Sequence, residues 1–460
     1  MSEHSLAVNL SSPVRRLFQI RKSNLVLAYL AILLIPYLAT FSLNIDYKGF
    51  YSATLVFLNT VAMMAFFTQF PLAGRFKHLP VFSNIDWSMS KHKRAGKWIG
   101  FVFLLHPMLI LAPRFLVSFD DGMTSLAEAI TSPQLLTGLI AWVVMILWVL
   151  SAIFKDRLRI SYETWHLTHL LGFVVICVLA TLHITSVGRH GQFDEQFNIL
   201  WWGLCAMSVG IVLYNQLVKK TRLKKSPFTL ISITRGSSRD WLVKLRNDSS
   251  QDFSFEAGQF IWMNTSGSVH SMNEHPFSIA SCREELPEIT LVIRELGDYT
   301  SQLDSLTIGQ KVYVDGPYGS MSLRDSEAAR GITLIAGGAG IGPMLSLLRE
   351  LAANQDPRPI RLIYGNKDYE QMVLQGEIES LQKTMPDFRQ QLVCKNPTKV
   401  PGVRQGVIVK DCVADAIDPE LAKDWAVYLC GPPGMISSVT ENLRSLGIPE
   451  ANIHYEQLSF

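Results

Sequence analysis

Long apolar stretches fill the first half of the chain, whereas short alternating runs fill the second half. Six stretches are long and apolar enough to cross a bilayer as helices, which takes about 20 residues each. They cover residues 25–41, 50–70, 98–119, 133–154, 162–187 and 197–218. This pattern predicts a membrane α-helical bundle of six transmembrane helices. The first stretch is short and contains Pro36, but it lacks the cleavage site of a signal peptide and is predicted to be retained.

Beyond residue 226, apolar and polar residues alternate over short runs bounded by turn residues. Runs at 228–234, 241–245, 260–264, 289–294 and 311–314 predict a small antiparallel β-barrel. Strands at 332–336, 361–364 and 426–429 then predict an α/β domain with a parallel sheet, of the Rossmann-like type. The predicted division is an N-terminal segment at 1–24, a membrane domain at 25–220, the barrel at 226–325 and the α/β domain at 330–460.

Lysine and arginine cluster in the predicted loops on one side of the membrane. The clusters lie before the first helix, between the second and third, between the fourth and fifth, and after the sixth. The opposite loops hold only Lys48, Arg114 and Arg189. By the positive-inside rule, we expect a multi-pass inner (plasma) membrane protein whose N- and C-termini are both cytoplasmic.

Charge and cysteine usage argue against a nucleic-acid partner and against a cysteine-held metal site or disulfide framework. The net charge of +3 reflects the basic loops rather than a continuous basic face, so no nucleic-acid partner is inferred. The six cysteines are scattered singly, which disfavours an intrinsic iron–sulfur cluster, a zinc site or a disulfide framework.

Two pairs of histidines with the same spacing lie at the third and fifth predicted helices. His92 and His106 are fourteen residues apart, and so are His169 and His183. Fourteen residues make nearly four helical turns, so both members of a pair project from one helix face, ~21 Å apart along the axis. Two such helices side by side can ligate two b-type haems, the inner one by His92 and His169 and the outer one by His106 and His183. Bis-histidine ligation suits electron transfer.

Two other interpretations of these histidines stay open. A single histidine in an apolar helix more often packs or hydrogen-bonds within the bundle, which would make the protein a haem-less membrane-anchored flavin reductase or an electron-donating assembly partner. His166 is a rival of His169, although Ala180 stands fourteen residues after it. His92 precedes the apolar run, so its ligation requires a helix that begins near residue 88 or 90.

Four motifs follow one another in the predicted barrel. They are AGQF at 257–260, then His275, Pro276, Phe277 and Ser278, then Arg294 with Gly297, Asp298, Tyr299 and Thr300, and GPYG at 316–319. In this order they resemble the ferric reductase and NADPH oxidase family, whose ferredoxin-reductase-type domain binds FAD. The resemblance implies that Ser278 approaches flavin N5 and that His275 and Phe277 contact the cofactor. Residues 297–300, at a helix start, are expected to offer free N–H groups to the pyrophosphate.

A glycine-rich loop follows the strand predicted at 332–336 and precedes an amphipathic helix. It consists of Gly337, Gly338, Ala339, Gly340, Ile341, Gly342 and Pro343. Its backbone can approach a pyrophosphate at the helix N-terminus, and the missing Gly-Lys-Ser/Thr ending disfavours ATP. After the next strand, Lys367 is available for a 2′-phosphate where no acidic residue directly grips an NAD ribose, which favours NADPH over NADH.

The C-terminal part completes the resemblance. Cys430, Gly431 and Pro432 resemble the family's motif beside the nicotinamide, and Phe460 fits the C-terminal aromatic that stacks on the flavin. Ser278, Cys430 and Phe460 are the three residues expected to act in catalysis. The resemblance implies electron transfer from cytoplasmic NAD(P)H through FAD and two haems to an external acceptor, with Fe(III) complexes placed ahead of O2 and superoxide production. The sequence contains no EF-hand loop, which favours a constitutive bacterial enzyme.

Overall fold

The computed structural model describes residues 22–45, 49–76, 85–158, 160–187, 195–249 and 253–456. Within these ranges, six helices are long and apolar enough to cross a membrane: Asn24–Ser42, Gly49–Ala73, Trp87–Val117, Leu136–Ile153, Tyr162–Ser186 and Glu195–Lys225. The predicted number of spans and their positions are confirmed, because each observed span overlaps one predicted stretch.

The helices of the first half run from α1 to α9. Their bounds are α1 Lys22–Ser42, α2 Gly49–Phe67, α3 Gln69–Ala73, α4 Ile85–Val117, α5 Phe119–Thr131, α6 Leu136–Ile153, α7 Tyr162–Ser186, α8 Glu195–Leu213 and, after a π-helical segment at Tyr214–Lys219, α9 Lys220–Lys225. Helix α4 begins well before the apolar run at Trp98, so His92 lies inside it. Ser118 ends α4 because its backbone is extended and its hydroxyl accepts the Asp121 N–H, which caps α5.

Six antiparallel strands form the barrel. They are β1 Phe228–Arg235, β2 Asp240–Asn247, β3 Phe260–Asn264, β4 His275–Ser278, β5 Glu288–Arg294 and β6 Lys311–Tyr318. Their order is β4-β3-β6-β1-β2-β5, and a bridge between Ile279 and Leu291 joins the two ends of this order. Alternate side chains fill the interior, where each fully buried aliphatic residue contributes roughly 1.5–3 kcal/mol. The predicted barrel is confirmed, and a one-turn helix, α10 Asp298–Ser301, follows β5.

A parallel sheet with helices on both faces forms the last part of the chain. Its elements are β7 Gly331–Gly337, α11 Ile341–Ala353, β8 Ile360–Asn366, α12 Gln375–Thr384, β9 Phe388–Cys394, β10 Val403–Gln405, α13 Lys410–Ala414, β11 Trp425–Cys430, α14 Pro433–Ser445 and β12 Ile453–Tyr455. The strand order is β10-β9-β8-β7-β11-β12. The order reverses between β7 and β11, and ligands of such sheets bind in the crevice at the carboxyl ends of the strands at this point.

The described residues fall into two compact units. One lies within Met1–Trp142 and Ala180–Cys205, and the other within Val143–Leu179 and Ala206–Phe460. The first unit contains His92, His106 and His183. The second unit contains His169, the barrel and the parallel sheet.

Candidate flavin, nicotinamide and haem sites

The predicted flavin strand, β4, lies at one edge of the barrel sheet and pairs with β3. Ser278 is opposite Phe260, Pro276 is opposite Trp262, and His275 is opposite Met263. The structure brings this strand next to the second flavin motif. The His275 ring stacks on Tyr299 with centroids 4.0 Å apart and an interplanar angle of 25°, and Phe277 lies 6.2 Å from the same ring.

Burial decides the protonation of the two stacked rings. Burial raises the pKa of Tyr299 to about 12, and its hydroxyl lies 3.0 Å from Thr265 Oγ1. Burial also lowers the pKa of His275, although the carboxylates of Glu163 and Glu274 act in the opposite direction. His275 Nε2 donates to Asn273 Oδ1 at 2.7 Å. Both rings are therefore neutral at pH 7, and the Tyr299 hydroxyl keeps its proton as a hydrogen-bond donor.

The second flavin motif differs from the expectation at Gly297. The Thr300 hydroxyl accepts the N–H groups of Leu296 and Gly297 at 2.9 and 3.1 Å, so the Gly297 N–H is not free for a pyrophosphate. The reason is that α10 is a single turn closed by its own threonine. Beside it is a cavity of about 290 Å³, lined by Glu163, Thr265, Ser266, Asn273, Asp298, Tyr299, Gln302, Leu303, Ser305 and Leu306. Two carboxylates in this lining suit the hydroxyls of a ribose or ribityl group better than an anion.

Arg294 links the barrel to the parallel-sheet domain. Its Nε and Nη2 each donate to the fully buried Asp240 carboxylate at 2.9 Å, and Nη1 donates to Asn366 Oδ1 at 3.3 Å. A Cβ on Gly338 would lie 2.3 Å from Arg294 Nη1, so the guanidinium also contacts the glycine loop. Arg294 therefore reaches the predicted nucleotide site, but two of its donors hold a buried carboxylate, a partner that sequence reasoning missed.

Replacing Asp240 by alanine is expected to destabilise the protein by about 3–5 kcal/mol, because it leaves the charge of Arg294, 13% exposed, without its buried partner. Thermal unfolding of the detergent-solubilised protein, monitored by the fluorescence of the released flavin, measures the loss of stability. Lys244→Ala on the same strand is the matched control, since its pair with Glu288 is exposed and should contribute less than about 1 kcal/mol. Equal shifts for both variants would contradict the assignment.

The glycine loop brings the barrel and the last strand together. A Cβ on Gly340 would lie 2.1 Å from the carbonyl oxygen of Cys430, and one on Gly342 would lie 3.6 Å from Ser278 Cβ. Thus Ser278 and Cys430, 152 positions apart in the sequence, flank one loop at the switch point of the sheet. Gly431 packs against Gly337. A Cβ added to Gly431 would lie 3.2 Å from the Gly337 Cα.

Proline and charged residues complete the nucleotide crevice. Pro343 lies in the first turn of α11 and Pro432 directly precedes α14, positions where the missing N–H costs no helical hydrogen bond. Lys367 is exposed just after β8. The neighbouring Asp368 carboxylate is held within the loops by Asn396 Nδ2 at 2.6 Å and Gln371 Nε2 at 2.7 Å.

A buried carboxylate near the C-terminus was missed by sequence reasoning. Glu456 directly follows β12, and its Oε1 accepts the backbone N–H groups of Ser320 and Met321 at 2.6 and 3.2 Å. In the sequence, this residue is recognisable only as a glutamate that follows a strand. Phe460, the predicted flavin-stacking aromatic, lies outside the described residues.

In the first unit, two candidate haem ligands have their Nδ1 atoms engaged. His92 Nδ1 lies 3.2 Å from the carbonyl oxygen of Gln69, and His106 Nδ1 lies 3.2 Å from Asn59 Oδ1. Carbonyl oxygens only accept, so in the neutral form of both rings Nδ1 carries the proton and Nε2 carries the lone pair. Metal-binding histidines usually show this arrangement.

His183 packs against a glycine. A Cβ on Gly138 would lie 2.4 Å from the His183 ring, and His183 Nδ1 is buried with no hydrogen-bond partner among the described residues. Leaving such a nitrogen unpaired costs about 1–3 kcal/mol. No group of three or more His, Cys, Asp or Glu residues in the described ranges could hold a single metal ion. A haem iron needs only two protein ligands.

In the second unit, His169 lies between two indoles. Its ring stacks on Trp148 at 4.4 Å and 9°, and on Trp165 at 5.0 Å and 23°. Trp148 Nε1 also donates to the His169 carbonyl oxygen at 2.8 Å, and Gly172 leaves space for that indole. Sequence reasoning missed both tryptophans. The rival His166 lies beside Tyr162, 5.8 Å away.

Three family descriptions match the chain in order. Residues 53–180 match the ferric reductase like transmembrane component, 224–322 an FAD-binding domain, and 334–441 an oxidoreductase NAD-binding domain. The chain belongs to the ferric reductase and NADPH oxidase-like family. The protein is therefore a transmembrane NAD(P)H-dependent oxidoreductase that combines a multi-pass membrane domain with FAD- and NAD(P)H-binding domains.

Relatives of this ferric reductase-like protein match its reductase half. The reductase component of propane 2-monooxygenase from Mycolicibacterium smegmatis is 30% identical over 242 residues, 50% of this chain and 67% of the relative. NADH-cytochrome b5 reductase 1 from Dictyostelium discoideum is 32% identical over 183 residues, 39% of this chain and 63% of the relative. The cytochrome b5 reductase domain of Ulva prolifera nitrate reductase is 22% identical, covering 50% of this chain and 97% of that structure, with a TM-score of 0.45. The chain thus spans about two thirds of the length of the two sequence relatives.

Proposed function

We propose that this protein is a transmembrane ferric reductase that carries electrons from cytoplasmic NADPH, through FAD and two b-type haems, to Fe(III) complexes on the extracytoplasmic side of the membrane. The observation that carries the proposal is the pair of oriented imidazoles on α4. His92 and His106 are both on this one helix, and both direct Nδ1–H to a carbonyl oxygen. This is the second-shell arrangement that prepares Nε2 for a metal.

The four histidines are assigned as two pairs of haem ligands. His92 and His169 would hold the inner haem, and His106 and His183 would hold the outer haem. The packing of the His183 ring against Gly138 supports its assignment, because the glycine leaves room for an imidazole inside the first unit. The basic loops support the orientation, with both termini and the reductase half in the cytoplasm and the protein in the plasma membrane.

Flavin chemistry supplies the conversion of a hydride into single electrons, and haem iron supplies one-electron redox chemistry. The protein's own residues bind and orient. Ser278 of the barrel packs against Gly342 of the glycine loop. The Cys430 backbone packs against Gly340 of the same loop. Tyr299, neutral at pH 7, offers its hydroxyl to the cofactor site, with Thr265 fixing its position. Lys367 supports NADPH, since its ammonium is exposed at the end of β8.

A spectrum and an anaerobic assay test the proposal. The purified protein should show a b-type haem spectrum on dithionite reduction, with about two haems per chain. With NADPH and Fe(III) citrate, iron reduction should continue without oxygen and should not respond to superoxide dismutase. If only superoxide dismutase-sensitive cytochrome c reduction is seen, and no anaerobic iron reduction, the protein is an oxidase instead. Absence of haem would exclude the transmembrane path and leave a flavin reductase.

A further inference from the structure

The first turn of α7 carries two aromatic side chains that the proposed function does not use. The ring of Tyr162 lies 6.2 Å from the His275 ring on β4, at an interplanar angle of 38°. The same ring lies 6.0 Å from Trp165, at 36°. Tyr162 therefore contacts both the flavin strand and the next aromatic residue of the membrane helix.

These contacts continue to the candidate ligand of the inner haem. Trp165 stacks on His169 at 5.0 Å, so the rings of Tyr299, His275, Tyr162, Trp165 and His169 follow one another without a break. No two successive centroids are more than 6.2 Å apart. All five rings belong to the second unit.

The rings are held in position by contacts of their own. Trp165 Nε1 donates to the Ser151 carbonyl oxygen at 3.3 Å, and Lys155 Nζ lies 5.4 Å from the indole centroid, a cation–π contact. Tyr162 is 42% exposed, so hydrophobic burial in a core does not account for where its ring lies. Its ring is partly covered and lies between the His275 ring and the Trp165 ring.

We propose that Tyr162 and Trp165 form an aromatic bridge, which joins the flavin strand at His275 to the haem ligand His169 and provides the path for single electrons. The proposal rests on the proposed function. With both cofactors bound, each step would take one electron from the reduced flavin and give it to one ferric haem, which would become ferrous. The bridge rings are neither oxidised nor reduced, and no bond forms or breaks in them. The packed rings would fill the space between the two cofactors, so that electrons could tunnel through them.

Ring-removing and ring-preserving variants of the full-length protein test the bridge. In anaerobic stopped-flow with NADPH, Tyr162→Leu and Trp165→Leu should bleach the flavin at the wild-type rate, and the haem reduction that follows should slow by about ten-fold. Tyr162→Phe and Trp165→Phe keep a ring and should recover haem reduction to within about two-fold of wild type. Trp202→Leu is the matched control, because this tryptophan is exposed on α8, outside the series of rings.

A spectroscopic readout separates the bridge from a general loss of structure. Electron paramagnetic resonance of the oxidised protein reports the planes of the axial imidazoles. Trp165→Leu should shift the signal of one haem because it frees one face of His169, whereas Tyr162→Leu, one ring farther away, should leave both signals unchanged. If Trp165→Leu loses a haem, Tyr162→Leu decides the question.

Wild-type haem reduction in Tyr162→Leu, with its haem content intact, would overturn the bridge. Slow haem reduction that only a ring restores would support it. If the wild-type protein binds no haem at all, the proposed function itself fails, and the haem count taken before the kinetics shows this.

Discussion

Replacing His183 by alanine should lower the haem content of the purified protein from about two per chain to about one. The imidazole packs against Gly138, a neighbour that has no side chain to offer as a ligand in its place. Loss of the outer haem should cut electron delivery to Fe(III) citrate by about a hundred-fold or more, since even second-shell changes at metal sites cost up to about a hundred-fold. A pyridine haemochrome assay per mole of chain, with anaerobic iron reduction, measures both effects.

His166→Ala is the matched control for this prediction. His166 lies on the same helix as His183, and its ring lies beside Tyr162 rather than in the pairing assigned here. Both haems should be retained in this variant. If His166→Ala loses a haem and His169→Ala does not, the inner ligand has been assigned to the wrong histidine. If His183→Ala keeps both haems, the outer pair is wrong.

Much of the fold is predictable from hydropathy because the physical signals are local. Twenty apolar residues in a row have few soluble alternatives to a membrane helix, and the strand at 260–264 is observed as Phe260–Asn264. The start of α4 was harder to predict. Residues 85–97 are polar and basic, yet they continue the helix, with Ile85, Trp87 and Ser88 buried. Hydropathy alone places the helix start at the apolar run and leaves His92 outside it.

The candidate site was predictable only as far as its motifs are contiguous. His275 to Ser278 and the glycine loop are short segments whose residue types carry the chemistry. The partners that hold them are distant in sequence, such as Asp240 for Arg294 and Trp148 for His169. Only the strand order and the helix packing bring such pairs together, and no periodicity in the sequence predicts them. Gly297 shows the opposite case, since a nearby threonine hydroxyl uses the N–H that the motif suggested was free.

Gly340→Ala should slow NADPH oxidation by about a hundred-fold or more while leaving flavin bound. The new Cβ would lie 2.1 Å from the Cys430 carbonyl oxygen and 3.0 Å from the Gly431 nitrogen. Both are backbone atoms, of the last residue of β11 and of the residue after it, so relief requires the loop and the strand end to separate. A displacement of about 1 Å between reacting groups can cost about a hundred-fold in rate. We expect a loss of that size or more in kcat/KM for NADPH.

Gly376→Ala gives the control that makes this result specific. Gly376 lies in the first turn of α12 with no atom within 4 Å of a Cβ placed there, and the change should be neutral or stabilising by about 0.5–1 kcal/mol. Flavin content of both variants should equal that of the wild type, because the barrel holds the flavin motifs and Gly340 lies outside it. Wild-type NADPH oxidation in Gly340→Ala would show that the loop tolerates a side chain at this point. The nicotinamide site would then have to lie away from the contact between Gly340 and Cys430.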